Sequence, residues 1–185
     1  MKILGLVASP RKNGSTSKMV NYILEGADSS GSETEIIYLN DLKYRDCQGC
    51  YGCNNSFRCV LKDDLTRVYD AINKADEIVI GSPVYMWEGT GLFKNFIDRL
   101  LPYYNMKHKQ GNVNKKVTFA YSQGSEDVKE NEVYFKLMEV VIERLGFISK
   151  GTLISPNNFD RGDINKNIKL VNELKSYYKS NKKDL

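Results

Sequence analysis

The sequence has little histidine, the side chain that serves as the base in the Ser-His-Asp triads of many hydrolases. It has one histidine, His108, and no grouping of serine, histidine and aspartate that would form a nucleophilic triad. His108 lies in the polar stretch 107–110, where a surface position is expected rather than a proton donor. We therefore expect no dedicated catalytic acid or nucleophile among the side chains.

Long apolar runs and basic stripes are also missing. No stretch has the length and apolarity of a membrane-spanning helix, and the first residues do not follow a leader pattern. The formal net charge of +4 is mild, and no cluster of Lys and Arg is interleaved with aromatic residues. We therefore expect a cytoplasmic protein whose partners include neither nucleic acid nor a membrane.

Internal repeats, linkers and shifts of composition are absent as well, so one domain spanning 1–185 is expected. Strands are predicted over residues 2–7, 34–39, 77–81, 116–121 and 147–154. Helices are predicted over residues 15–27, from 63 onward, 92–101, 132–145 and 164–178. This alternation predicts an α/β protein with a parallel sheet covered on both faces. Five strands in this rhythm favour a flavodoxin-like three-layer sandwich, with a five-stranded parallel sheet in the order 2-1-3-4-5.

All the cysteines of the chain lie in one irregular loop insertion, at about 41–62: Cys47, Cys50, Cys53 and Cys59. Their spacing, C-x2-C-x2-C-x5-C, is close to the ferredoxin run that holds a [4Fe–4S] cluster. It differs from the common zinc pattern, in which two C-x2-C pairs lie far apart. The spacing favours an iron–sulfur centre, while zinc and a redox disulfide or unligated thiols remain as alternatives.

The loop after the first predicted strand carries the groups of a phosphate site. It combines hydroxyls, an amide, a cation, a glycine and a helix N-terminus, with candidate ligands at Ser9, Arg11, Asn13, Ser15, Thr16 and Ser17. The alternative is an ordinary polar turn with a Ser/Thr helix cap. The loop does not match the dinucleotide fingerprint G-x-G-x-x-G, which favours the phosphate of a mononucleotide.

Two further loops are expected beside it, because ligands of such sheets bind beyond the carboxyl ends of the strands. The loop 81–91 offers flat or polarizable surface to an aromatic ring, through Pro83, Val84, Tyr85, Met86 and Trp87. Core packing is the alternative for these side chains. The loop 121–125, with Ser122 and Gly124, is a weak signal alone but could complete the wall of a flavin site.

These motifs together resemble the iron–sulfur flavoproteins within the flavodoxin-like, NADPH-dependent FMN reductase superfamily. The resemblance extends over nearly the whole chain and rests on Ser-Pro-Arg-Lys-Asn-Gly-Ser-Thr at 9–16, the cysteine run, Gly-Ser-Pro-Val-Tyr at 81–85 and Tyr-Ser-Gln-Gly at 121–124. It implies noncovalently bound FMN near a [4Fe–4S] cluster that the four cysteines ligate. It also implies a homodimer or homotetramer. Arg58 is expected to offset the negative charge of the cluster.

The resemblance implies an FMN-dependent oxidoreductase. Electrons would pass between a donor, either a ferredoxin-like protein or NAD(P)H, and a small-molecule acceptor. One alternative is an NAD(P)H-dependent FMN or quinone reductase whose cysteines hold no cluster. A second is a protein that is not an enzyme, either a flavodoxin-like electron carrier or a zinc-stabilised binding module. In the first two hypotheses Arg11 is expected at the phosphate or the flavin edge, and Trp87 near the flavin, in its own subunit or a partner.

Overall fold

The computed structural model describes residues 1–54, 58–104, 113–159 and 163–180. His108, which was expected at the surface, lies outside these ranges. Within them the strands are β1 (Lys2–Val7), β2 (Glu33–Tyr38), β3 (Glu77–Tyr85), β4 (Glu88–Gly89), β5 (Lys116–Ser122) and β6 (Ile148–Ser155). The helices are α1 (Ser15–Asp28), α2 (Leu65–Lys74), α3 (Gly91–Asp98), α4 (Glu132–Arg144) and α5 (Ile168–Ser180). No helix in these ranges is long and apolar enough to cross a bilayer.

The main sheet is parallel and has the strand order β2-β1-β3-β5-β6. Its central strands are apolar and buried on both faces, as parallel strands are when helices cover both sides of a sheet. The chain leaves β1 in one direction to reach β2 and returns across it to β3. The carboxyl ends of β1 and β3 therefore form the switch point of the sheet, where a ligand is expected.

The core has two parts, one on each face of the sheet. Helices α1 and α5 cover one face with a cluster that includes Met19, Ile23 and Leu174. Helices α2, α3 and α4 cover the other with a larger cluster that includes Leu65, Phe96 and Phe135. The arrangement is the three-layer α/β sandwich that the sequence predicted.

The prediction of five strands was wrong by one. After Gly81 the chain does not enter a loop: β3 continues to Tyr85, turns, and pairs antiparallel with the two-residue strand β4. The sequence concealed this hairpin because its turn residues are Met86 and Trp87. Both have a positive φ, 50° and 65°, a conformation that hairpin turns usually assign to asparagine or glycine.

Helix boundaries were predicted less well than strands. Helix α2 begins at Leu65 rather than residue 63, and α3 ends at Asp98 rather than residue 101. Helix α5 begins four residues late, because Asp163 first caps a short 3-10 turn over Ile164–Lys166. Gly146 follows the end of α4 with φ 87°, as its position in the sequence had predicted.

Candidate functional site

The loop between β1 and α1 is fixed to the switch point at its first residue. The backbone N–H of Ala8 donates to the carbonyl of Gly81 in the buried part of β3 (2.7 Å). The hydroxyl of Thr90, which also caps α3, donates to the carbonyl of Ala8 (2.9 Å). These bonds bring the first predicted loop and the segment after β3 together, as expected.

Inside this loop the carbonyl of Arg11 is the common acceptor. It accepts from the hydroxyl of Ser17 (2.9 Å) and from the backbone N–H of Gly14 (3.1 Å). The hydroxyl of Ser9 accepts from the backbone N–H of Arg11 (3.2 Å). Ser9 and Ser17 are buried, so their hydroxyls shape the loop instead of facing the solvent. Two candidate phosphate ligands thus have a positioning role here.

Thr16 joins the first loop to the third. Its hydroxyl and that of Ser122, at the end of β5, share a hydrogen bond of 2.6 Å, and both side chains are buried. The two residues are 106 positions apart in the sequence, so the bond depends on the sheet order. The structure therefore brings these two predicted site residues into contact, although as a link between elements.

A pocket opens at the N-terminus of α1. It is lined by Arg11, Lys12, Asn13, Gly14, Ser15, Lys18 and Asp163. The N-cap residue Gly14 supplies no side-chain cap, so the positive end of the helix dipole is open to an external anion. Lys12 pairs with Asp41 (2.7 Å) and Lys18 with Asp163 (2.8 Å). Within the described chain Arg11 is the exposed cation of this pocket without an acidic partner.

The hairpin after β3 presents most of the predicted ring-binding residues at the surface. Pro83 is buried and Val84 half-buried, whereas Tyr85, Met86 and Trp87 are exposed. The indole N–H of Trp87 donates to Glu130 (3.2 Å), which ties the hairpin to the segment before α4. Core packing, the alternative considered for these side chains, is thereby excluded for the three exposed ones.

A second pocket lies between this hairpin and the third loop, with an empty volume of about 750 Å³. Its lining includes Val84, Met86, Trp87, Gln123, Gly124, Asn131 and Phe159. Gly124 lies close to this aromatic side chain: a Cβ at its position would come within 2.7 Å of the Phe159 ring, which would have to shift. Phe159 itself is 74% exposed, in the segment that follows β6.

Five residues that line this second pocket were not among the predicted site residues: Gln123, Ser125, Glu130, Asn131 and Phe159. Asn131 donates through Nδ2 to Gln123 (3.0 Å), and its buried Oδ1 has no partner among the described residues. An unpaired buried acceptor is costly unless a ligand supplies a donor. The position of Phe159 shortly beyond the carboxyl end of β6 was a signal that could have been used.

The four cysteines are free thiols that line one further pocket, together with Arg99 and Pro102. Cys53 is buried, Cys47 and Cys59 are half-buried, and Cys50 is exposed. Burial and the nearby charges of the other three cysteines raise the pKa of the Cys53 thiol, although a backbone hydrogen bond opposes the shift. In the described ranges no three His, Cys, Asp or Glu side chains converge on a point that could hold a single metal ion.

A buried ion pair supports this cysteine segment (residues 41–62). Asp63 binds both terminal nitrogens of Arg99 (2.8 and 3.1 Å), and Arg99 Nη1 also donates to the carbonyl of Arg45 (2.5 Å). The Arg99 side chain is fully buried and that of Asp63 is 12% exposed. Burial would raise the pKa of Asp63, but the bonds from Arg99 and from the Arg45 backbone outweigh it and lower that pKa.

Arg58 lies elsewhere. It pairs with Asp70 on the surface (2.7 Å) and is not among the residues that line the cysteine pocket. The sequence had assigned to Arg58 the role of offsetting negative charge at the cysteines. The buried cation at this pocket is Arg99, which comes from the end of α3 and gave no signal in the sequence.

The order of the sheet and the pockets at its carboxyl edge define a flavodoxin-like α/β protein. A family model for NADPH-dependent FMN reductases matches residues 1–157, and the chain belongs to that family. Its fold is also that of an NAD(P)H:quinone oxidoreductase from Methanothermobacter marburgensis, with a TM-score of 0.76, 18% identity and 95% of each chain covered.

Curated relatives agree with the resemblance found in the motifs. An iron–sulfur flavoprotein of Archaeoglobus fulgidus is 38% identical over 103 residues, which cover 56% of this chain and 47% of that protein. One of Methanosarcina thermophila is 33% identical over 99 residues, 54% of this chain and 52% of the relative. The chain thus spans about half the length of the curated relatives it matches. The family-level resemblance is confirmed; the roles of individual site residues stay predictions.

Proposed function

We propose that residues 1–185 form one FMN-binding domain of an iron–sulfur flavoprotein, an oxidoreductase that works in the cytoplasm. The observation that carries the proposal is the carboxyl edge of the sheet, where an open helix terminus and a ring-sized pocket lie beside the same strand ends. When bound, FMN exchanges electrons singly or in pairs. The side chains of this protein would hold and orient it.

The residues present fit the FMN phosphate. The open N-terminus of α1 supplies backbone N–H groups and a favourable dipole, and Arg11 supplies an exposed positive charge beside it. Asn13 and Ser15 line the same pocket, while Ser9, Thr16 and Ser17 hold the backbone in place through buried hydrogen bonds. We propose that the loop binds the phosphate mainly through its backbone and Arg11.

The residues of the second pocket fit the isoalloxazine ring. Val84, Met86 and Trp87 provide apolar surface on one side, and Gly124 lies on the facing loop with Phe159 packed against it. The partnerless Oδ1 of Asn131 is an acceptor that an N–H of a ring edge would satisfy. Pro83 and Tyr85 flank this surface on β3, and we propose that they limit how far the ring moves.

The cysteines fit a four-iron cluster in kind and in number. Each cysteine of a [4Fe–4S] cluster binds a different iron, so the four thiols need to line a common pocket without meeting at one point. We propose that Cys47, Cys50, Cys53 and Cys59 ligate one [4Fe–4S] cluster.

The partners follow from the chemistry of the two groups. Either a ferredoxin-like protein or NAD(P)H would supply electrons, and a small molecule would accept them. We also propose a homodimer or homotetramer, in accord with the family resemblance.

A second candidate function is an NAD(P)H-dependent FMN or quinone reductase without a cluster. One observation favours it: the ring pocket and the cysteine pocket share no lining residue among those described, so the flavin site is complete without the cysteines. In that case the thiols would remain unligated.

A visible spectrum of protein purified without oxygen separates these functions. Flavin bands on top of a broad iron–sulfur absorption are the expected result. Flavin bands alone, with NAD(P)H oxidation, would favour the cluster-free reductase. A colourless protein that contains zinc would contradict both.

A further inference from the structure

The cysteine pocket contains one buried cation whose hydrogen bonds are incomplete. Both terminal nitrogens of Arg99 are bound, to Asp63 and to the Arg45 carbonyl. Its third nitrogen, Nε, is buried and has no hydrogen-bond partner among the described residues. A buried guanidinium donor without an acceptor is costly, and native structures rarely leave one unless a ligand completes it.

The position of Arg99 indicates which group could accept the hydrogen bond from its Nε–H. The residue lines the pocket formed by all four cysteines and lies near enough to Cys59 for their charges to interact. Burial would lower the pKa of Arg99, but the hydrogen bonds that it donates to Asp63 and the nearby Tyr69 and Cys59 raise the pKa overall, so the guanidinium stays charged. A permanent positive charge therefore lies at the pocket that the four cysteines line.

We propose that Arg99 is the positioning and charge-compensating residue of the cysteine site, with its Nε–H donating to a cluster sulfur or a cysteine thiolate. Asp63 holds the guanidinium in a fixed orientation. Arg58, the cation next to Cys59 in sequence, contributes little because its side chain is exposed and solvent screens its charge. This inference rests on the proposed iron–sulfur function.

Two measurable consequences follow. Reduction adds a negative charge to a cluster, so a buried cation beside it favours the reduced state and raises the midpoint potential. Outer groups that hydrogen-bond to metal ligands also hold the metal, and their loss typically costs about 10- to 100-fold in affinity. Removal of Arg99 should therefore lower the midpoint potential and accelerate the release of iron.

The test uses the full chain reconstituted without oxygen, with three variants at the pair and one control. Arg99→Gln removes the charge and the Nε donor. Arg99→Lys keeps the charge but removes the planar guanidinium, and with it both the Nε donor and the two-point hydrogen bonding to Asp63. Asp63→Asn with Arg99→Gln replaces both buried charges by amides, which protects the fold if the single change is not tolerated. Arg58→Gln is the matched control, because it makes the same substitution at an exposed arginine of the cysteine segment.

For each protein, the midpoint potential is measured by anaerobic titration and iron release by the absorbance of an iron chelator complex. Iron loss roughly 10- to 100-fold faster than wild type is expected for Arg99→Gln and for the double variant, and a lowered potential is expected for Arg99→Gln, the change that removes a positive charge alone. Arg99→Lys should recover the potential in part but not the release rate. Arg58→Gln should match wild type in both.

Three results would overturn the inference. The first is Arg99→Gln and the double variant with wild-type potential and iron release, which leaves the proposed function intact. The second is equal effects from Arg58→Gln. The third is loss of FMN in parallel with iron in all three pair variants, which would show that the pair only maintains the fold. Wild-type protein that takes up no iron or sulfide would overturn both this inference and the cluster itself.

Discussion

Two segments at the edge of the same sheet are built in different ways. In the loop proposed to bind the phosphate (residues 8–17, called the phosphate loop below) Ser9, Ser15, Thr16 and Ser17 are buried, and the hydroxyls of Ser9, Thr16 and Ser17 bond to the loop itself or to β5. In the described part of the cysteine segment only Cys53 is buried. Buried side chains and their hydrogen bonds fix the conformation of the phosphate loop, whereas the cysteine segment has few buried side chains that could fix its conformation.

This difference indicates that the conformation of the cysteine segment depends on residues outside it. Exposed segments with few buried contacts open locally at low cost, unless an anchor or a ligand restrains them. The anchors here are Asp63, through Arg99, and Asp64, which accepts from the backbone N–H of Lys43 (2.7 Å). We therefore expect changes at these anchors to affect the cysteine segment, and changes in the phosphate loop to affect FMN.

The largest effect is expected from Asp63→Ala, because it leaves the buried Arg99 without its partner. Loss of one member of a buried pair typically costs about 3–5 kcal/mol of unfolding free energy. Urea unfolding measures it, and Asp70→Ala is the matched control, since the Asp70–Arg58 pair is exposed and should cost about 1 kcal/mol or less. Similar losses in the two variants would contradict the distinction between buried and exposed anchors.

A somewhat smaller effect is expected on FMN from Arg11→Ala combined with Ser15→Ala. The double variant should weaken FMN binding by about 2–4 kcal/mol, because charge-assisted hydrogen bonds contribute about 1.5–3 kcal/mol each. Titration of the apoprotein measures this, with quenching of Trp87, the only tryptophan, as the signal. Lys12→Ala is the control, since Lys12 is held by Asp41. Unchanged affinity in the double variant would place the phosphate elsewhere.

The hairpin tip offers a third test. Met86→Asn with Trp87→Gly should stabilise the apoprotein by about 1 kcal/mol, because left-handed conformations are strained for other residues. The Tm would rise by about 2–4 °C, while FMN binding weakens. Tyr51→Gly relieves the same kind of strain in the cysteine segment (φ 54°) and should leave FMN binding unchanged. Weaker FMN binding in Tyr51→Gly would contradict the expectation that the cysteine segment and the FMN site act independently.

The hairpin also shows how far sequence reasoning reaches. Strands such as β1 and β5 were predicted closely, because buried apolar runs between turn residues leave little choice. The turn at Met86 and Trp87 could not be predicted, since its residues contradict local preference and tertiary contacts hold them in place. The loops of the candidate site were found from their position after strands.

Hydrogen bonds between residues that are far apart along the chain could not be predicted from the sequence. Nothing in the neighbourhood of Arg99 along the chain indicates a bond to Asp63, 36 residues earlier. The same holds for Thr16 and Ser122, which meet only because β1 and β5 both lie next to β3. Sequence motifs therefore indicated the kind of site, whereas the order of the strands determined which side chains hold the site residues in position.

The smallest effect is expected in the pH dependence of stability. Since Arg99 lowers the pKa of Asp63, the pair contributes stability that is fully present above the ordinary value of 3.8 and is lost as pH falls through the lowered pKa. The unfolding free energy of wild type should therefore fall more steeply below pH 4 than that of Asp63→Asn. Parallel curves would show that Asp63 has the same pKa in the folded and unfolded chain.

The central claim is that one domain holds FMN by its fold and a cluster by its cysteines, and one measurement tests it directly. FMN, iron and acid-labile sulfide are determined per monomer after anaerobic reconstitution, before and after exposure to air, for wild type and Cys50→Ala. The account predicts about four iron and four sulfide in wild type, clear loss in Cys50→Ala, and retained FMN after air has removed the iron. Negligible iron and sulfide in wild type, or FMN lost together with the iron, would contradict it.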